Sequence, residues 1–413
     1  MAQAQRIVVT GLGALSPVGN DVTETWNSLV HGVSGISSIT QFDPSGLETR
    51  IAGEVKRFDP KNYFNARDAR RLDRVVQLAL VAAHQAVDDA GPGLFPADRG
   101  RIAIAIGTGI GGGGTLYRGF LDYVESGSRA VSPFFIPMSI PDSIASRLAS
   151  EFDARAINLT FPAACASGTI ALGEAAELIR RGSAEVVIAG GAEAGIVPPV
   201  LAGFGQMRVL STHNENPASA CRPFAKDRDG FVLSEGAAIL ILESYEHATQ
   251  RGAKIYGELA GYGASMDAAN VAAPSEGGLE MARAILHSLH QAGITADRVG
   301  YLNAHGTGTL LNDRVETQAI KQAFGTHARK LKISSTKSMT GHMMGAAGAI
   351  EALISLMVIQ ESCIPPTINY EYPDTDCDLN YTPNHAEEAE VDIAVSTSLG
   401  MGGHNAALVF RKI

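Results

Sequence analysis

The chain has 413 residues, 45% hydrophobic and 18% charged, with a formal net charge of −10. That balance belongs to a folded globular protein, and an acidic chain without a long basic run is not built for nucleic acid. Four sparse cysteines, Cys165, Cys221, Cys363 and Cys377, form no CxxC pair, which argues against a disulfide framework or structural zinc and leaves thiol free for chemistry.

The first apolar stretch, RIVVTG at 6–11, is too short for a signal-peptide core and predicts a strand. No apolar run reaches the ~18 residues of a membrane span, so the expected location is cytoplasmic. A helical pattern follows at 70–90, then a strand, RIAIAIG, at 101–107. Further helices are predicted at 168–181 and 345–360, and further strands at 184–191, 236–243, 391–398 and 405–410. This alternation predicts an α/β fold of mixed sheets covered by helices. The last four strands fall in two neighbouring pairs, each closing one of two similar halves, 1–252 and 253–413.

Residues 102–112, IAIAIGTGIGG, carry Gly107, Gly109 and Gly112 after a strand and so match a dinucleotide-binding loop. No clear helix opening follows, and no acidic residue ends a well-marked second strand.

The segment INLTFPAACASGTIALGEAAELIRRG, 157–182, places Cys165 among small residues at a strand-to-helix turn. Unpaired N–H groups and the helix dipole there are expected to favour the thiolate and lower its pKa. Residues 301–313, YLNAHGTGTLLND, set His305 in a loop of glycines and hydroxyls. Residues 332–360 place Lys337 and His342 between a strand and a helix of small residues that also carries Glu351. A histidine near a helix N-terminus is pushed towards its neutral form and can donate a hydrogen bond to a carbonyl. Finally, Gly400, Gly402 and Gly403 in STSLGMGGHNAALVF permit unusual backbone angles and exposed N–H groups, as an oxyanion hole requires.

Together PAACASG, NAHGTGT, SSTKSMTGH, CRPFAKDRDGFVLSEGAAILILE and PPTINYEYPD resemble the β-ketoacyl-acyl carrier protein synthases of the thiolase superfamily, in order and over nearly the whole chain. The resemblance implies a doubled α-β-α-β-α layered fold and a Cys-His-His site of Cys165, His305 and His342. Lys337 and Glu351 would tune the histidines. It further implies that Met401, with Gly400 and Gly402, forms an oxyanion hole and gate. Ile110, Phe135, Phe204, Thr307 and Thr309 would contact substrate. Arg67, Arg70 and Arg71, which share a face at helical spacing, would dock an acidic acyl carrier protein together with Arg129 and Arg208. Asn303, Glu351, Ser396 and Thr397 match a region that holds a structural monovalent cation in relatives. No redox cofactor enters the implied reaction, a decarboxylative Claisen condensation by a homodimer.

The chain departs from the family's usual turn at Leu399, Met401 and His404, and in MDAANVAAP at 266–274. These departures leave room for a ketosynthase of a polyketide or polyene pathway, paired with a chain-length partner. A non-catalytic chain-length protein would lack Cys165. A degradative thiolase would need a second cysteine near GMGGHN.

Overall fold

Ten apolar stretches pair into one sheet in the computed structural model, which describes residues 5–271 and 273–413. In chain order the strands are β1 (Ile7–Leu15), β2 (Ile102–Gly107), β3 (Asn158–Phe161), β4 (Val186–Glu193) and β5 (Gly236–Ser244). They continue as β6 (Gly257–Met266), β7 (Tyr301–Asn303), β8 (Lys332–Ser334), β9 (Ile393–Gly400) and β10 (His404–Arg411). Their order across the sheet is β8-β7-β9-β10-β6-β1-β5-β4-β2-β3.

Adding five to each label turns β1-β5-β4-β2-β3 into β6-β10-β9-β7-β8, the order on the other side. The pairing senses repeat as well. β2 runs parallel to β3 and β4, as β7 does to β8 and β9. The pairs β1·β5 and β4·β5 are antiparallel, as are β6·β10 and β9·β10. The fold is thus a doubled, thiolase-like α/β unit. The sheet is mixed, as the sequence predicts, and the two halves share it. β1 and β6 pair antiparallel through Val8↔Glu258 and Val9↔Gly257, which leaves no gap at the centre. Arg6 and Arg411 tie that seam by donating to the Glu258 carboxylate at 2.7 and 2.8 Å.

Five helices position the site: α1 (Arg74–Ala90), α2 (Ser167–Arg180), α3 (Leu279–Ala292), α4 (Leu310–Phe324) and α5 (Ala347–Glu361). α1 starts where the Asp73 side chain accepts from the Val75 N–H, and stops at Gly91 with φ +77°. α1 lies on β1 and α3 on β6, again as equivalents. α2 and α5 meet near the centre of the molecule at matching glycines. A Cβ on Gly168 would sit 2.8 Å from Ala349 N, and one on Gly348 would sit 1.9 Å from Thr169 Oγ1. Only the absence of both side chains allows this approach.

Met344–Glu361 is long and apolar enough to cross a membrane, contrary to the expectation that no such stretch exists. Its window is 89% buried inside the protein, so it is a core helix that is apolar all round because every face is packed.

Candidate active site

In each half a strained turn that opens a helix follows the third strand. After β3, Ala164 adopts φ +50° and the turn Ala164–Ala166 leads into α2. After β8, Met344 adopts φ +45° and Met344–Ala346 leads into α5. The helix crossing brings these turns together, and with them Cys165 and His342. His342 Nε2 lies 3.0 Å from Cys165 Sγ. The Met344 N–H donates to His342 Nδ1 at 3.2 Å, so the ring proton resides on Nε2 and points at the sulfur.

His305 arrives from the loop after β7. Lys337 Nζ is 3.3 Å from His305 Nδ1, which likewise leaves the proton on Nε2. The two rings stand edge to face with centroids 5.3 Å apart. Lys337 also pairs with Glu351, and both are buried. One ligating atom each from Cys165, His305 and His342 falls within 4.8 Å of the others.

Burial pushes both imidazoles well below their usual range, and the Lys337 charge adds to this. They are neutral at physiological pH. The cause for His342 is therefore desolvation first, not the helix N-terminus expected from sequence. The expectation for Cys165 is reversed. Burial pushes its thiol up to about 11, although the Lys337 charge and the Met401 N–H oppose the rise. The helix terminus does not outweigh removal of the sulfur from water. Burial also pushes Glu351 up to about 7 against the pull of Lys337.

A cavity over Cys165 is lined by Phe204, Phe231, Thr307, Thr309, Leu399 and Met401, among others. Phe204 and Phe231 meet edge to face at 5.4 Å, and Phe231 stands against His342 at 5.2 Å. Thr307 and Thr309 hydroxyls are 3.0 Å apart. Two expected substrate contacts lie elsewhere in this chain. Ile110 packs beside Gly113 and Gly195, and Phe135 packs against Phe120 at 6.0 Å. Gly400 has no positive φ, unlike Gly402 and Gly403 at +90°. It is glycine because a Cβ would meet Ala163 O at 2.8 Å. Asp267 joins this turn to the 266–274 segment: its carboxylate accepts from Asn405 Nδ2 at 2.7 Å and its N–H donates to Gly403 O at 2.9 Å. Within that segment Ala272 lies outside the described residues.

Two carboxylates beneath the His305 loop went unread in the sequence. Glu316 accepts the N–H groups of His305 and Gly306, both at 2.7 Å. Asp313 accepts those of Thr307 at 3.1 Å and Gly308 at 3.2 Å. Their signal was the NDxxE of Asn312, Asp313 and Glu316, which opens α4 directly after the loop.

The arginines are all exposed, but Arg67 stands on a helix of one turn, Ala66–Ala69, with Arg70 at its C-terminal cap. They crowd a tight turn rather than share a longer helical face. The Arg71 guanidinium stacks on Phe134 at 4.5 Å. Arg129 and Arg208 are exposed too.

The cation set fits its expected guest. Asn303 Oδ1, Ser396 Oγ and Glu351 Oε2 are buried without a hydrogen-bond partner among the described residues. Ser396 lies opposite Asn303 in the β9·β7 register, and Thr397 Oγ1 donates to Asn303 O at 3.3 Å. Buried oxygens left open are the kind of donor a hard cation takes.

Residues 4–248 match the model of the β-ketoacyl synthase N-terminal domain and residues 256–371 that of the C-terminal domain. The 3-oxoacyl-[acyl-carrier-protein] synthase 2 of Staphylococcus aureus (strain COL) is 46% identical over 412 residues, covering 100% of this chain and 99% of that protein. The protein of that name from a Synechocystis species is 45% identical over 410 residues, covering 99% of each. A solved structure of a type II polyketide acyl-carrier protein in complex with its ketosynthase superposes with a TM-score of 0.92 at 36% identity, covering 100% of both chains.

Proposed function

The chain belongs to the β-ketoacyl synthase family, and from that premise we infer that it is a 3-oxoacyl-acyl carrier protein synthase elongating fatty acyl chains. The observation that carries this reading is the meeting of a thiol and two neutral Nε2–H imidazoles at the floor of one cavity.

Cys165 Sγ attacks the thioester carbonyl of an acyl carrier. The N–H groups of Cys165 and Met401 hold the resulting oxyanion, the acyl–sulfur bond to the carrier breaks, and the carrier leaves as a thiol with the proton from Cys165. Once acylated, the sulfur no longer carries a proton or a charge to share with His342. The Nε2–H groups of His342 and His305 then face the thioester oxygen of a malonyl carrier. Carbon dioxide departs, its bonding electrons form the enolate, and both N–H groups stabilise the charge on oxygen. The enolate carbon attacks the acyl-cysteine, the acyl–sulfur bond breaks, and the released Cys165 thiolate takes a proton from solvent. Because decarboxylation supplies the carbanion, no strong base is required. Lys337, balanced by Glu351, keeps His305 neutral and orients it.

The arginines at 67, 70, 71, 129 and 208 dock the carrier, whose acidic surface they complement. Asn303, Ser396, Thr397 and Glu351 would hold a monovalent cation that fixes β9 against β7. Residues 1–252 and 253–413 act as two halves of one body, one bringing the nucleophile and the other the histidines. A homodimer is supported by β3, which lies at the sheet edge among the described residues, and by exposed Phe120, Val124 and Ile136. Leu399 and Met401 in place of the family's usual phenylalanines, with the likeness to a polyketide ketosynthase, favour a second reading in a polyketide or polyene pathway. Intact-mass analysis after incubation with a panel of acyl carriers separates the two. Saturated acyl groups should load on the wild type, and Cys165→Ala should load nothing. Loading that persists in Cys165→Ala would overturn the assignment, and loading of polyene chains alone would favour the second reading.

A further inference from the structure

Glu193 ends β4 and is 0% exposed, yet no step of the condensation touches it. Four donors converge on its carboxylate. They are the N–H of Gly109 at 2.7 Å, the N–H of Ile110 at 3.3 Å, the Thr108 hydroxyl at 3.5 Å and the N–H of Gly345 at 3.1 Å. The first three come from the glycine-rich loop whose sequence matches a dinucleotide fingerprint. That loop does cradle an acceptor group, but the group is the Glu193 carboxyl, which burial pushes up to about 7 against the pull of these N–H donors. A Cβ on Gly109 would sit 2.8 Å from Glu193 Oε2, so a side chain there would displace the carboxylate.

The fourth donor belongs to the turn Met344–Ala346. One residue earlier, the Met344 N–H holds His342 Nδ1 and thereby sets which nitrogen carries the proton. The internal repeat points to the same place. β4 and β9 are equivalent strands of eight residues, and Glu193 ends one as Gly400 ends the other. The end of β9 supports the nucleophile turn, with Gly400 closing on Ala163 and the Met401 N–H meeting Cys165 Sγ. The end of β4 supports the turn after His342. Each half thus steadies the catalytic turn of the other.

We propose that Glu193 is a positioning residue for the condensation: its carboxylate locks the Gly345 turn to the glycine-rich loop and so keeps His342 in the Nε2–H tautomer aimed at Cys165. The inference rests on the role given to His342 above. Glu193→Gln keeps the shape but replaces one acceptor oxygen with a donor that faces N–H groups. The full chain, labelled with 15N-histidine, reports each tautomer by long-range 1H–15N correlation, and His342→Asn identifies the His342 signals. The wild type should show the Nε2–H form. Glu193→Gln should show a mixture or the Nδ1–H form, with kcat reduced by up to about 100-fold and the carrier KM unchanged. Glu193→Asp, which keeps the acceptors on a shorter stem, should fall between the two in both readouts. Unshifted His342 signals in Glu193→Gln overturn the proposal, as do equal losses in the Gln and Asp variants. If Glu193→Gln does not fold, Glu193→Asp decides alone, and unshifted signals there also overturn it. The tautomer is read without turnover, so a wild type that fails to condense would count against the function while leaving this contact separately testable.

Discussion

At the scale of single residues the site runs on neutral groups kept dry. Cys165 is a thiol at rest, because burial holds its pKa at about 11. A raised pKa means the thiolate is scarce at neutral pH and grows as pH rises. Alkylation of Cys165 by iodoacetamide should therefore keep accelerating with pH well past the ~8.5 of an ordinary thiol. A rate that levels off near 8.5 would show that the helix terminus governs after all. His305 and His342 each offer one Nε2–H to developing charge, and losing one such donor typically costs about 100- to 1,000-fold. His305→Ala and His342→Ala should slow carbon dioxide release from malonyl carrier by that order, and acylation less; release at the wild-type rate in both would refute the assignment. Met401 stands 37% exposed at the cavity mouth, where an unbranched side chain moves with little strain. Met401→Phe should slow acylation by long or rigid chains more than by short ones. A uniform change across a panel of chain lengths would remove Met401 as a selective gate.

At the scale of elements, function depends on two helices that touch at glycines. α2 carries the nucleophile turn and α5 follows the histidine turn, so their separation sets the distance between Cys165 and His342. Gly348→Val would force a side chain into Thr169, since even a Cβ would lie 1.9 Å from its hydroxyl. Overpacking of this kind costs about 1–3 kcal/mol. Urea unfolding should show a loss in that range, and the surviving folded protein should condense slowly because the turns are pushed apart. Wild-type stability and rate would mean that α5 shifts freely, against the packing described here.

At the scale of the whole molecule, the chain is acidic but presents arginines around one short helical turn. Reversing charge at Arg67 and Arg71 together should raise the carrier KM and flatten its dependence on salt, with kcat for a bound carrier kept. An unchanged KM at low ionic strength would place docking elsewhere. The doubled topology explains why one chain can make a site from two turns. A single half has the nucleophile or the histidines, and the shared sheet through β1 and β6 holds the two in register.

Much of this was legible in the chain itself. Strands and helices followed from apolar periodicity, because each element buries one face or all of itself. Cys165, His305, Lys337 and His342 stood out because their motifs, each weak alone, occur together in the order that resembles the β-ketoacyl synthases. The sequence left other matters open for physical reasons. Proton affinity depends on burial and on neighbours distant in the chain, so the direction for Cys165 was decided only by packing. The glycine-rich loop looked like a phosphate cradle until the fold supplied Glu193 from a neighbouring strand. The repeat was faint in residues and plain in topology, because strand order and pairing sense survive where side chains diverge. Sequence determined which residues could react; the crossing of α2 and α5 decided which of them meet.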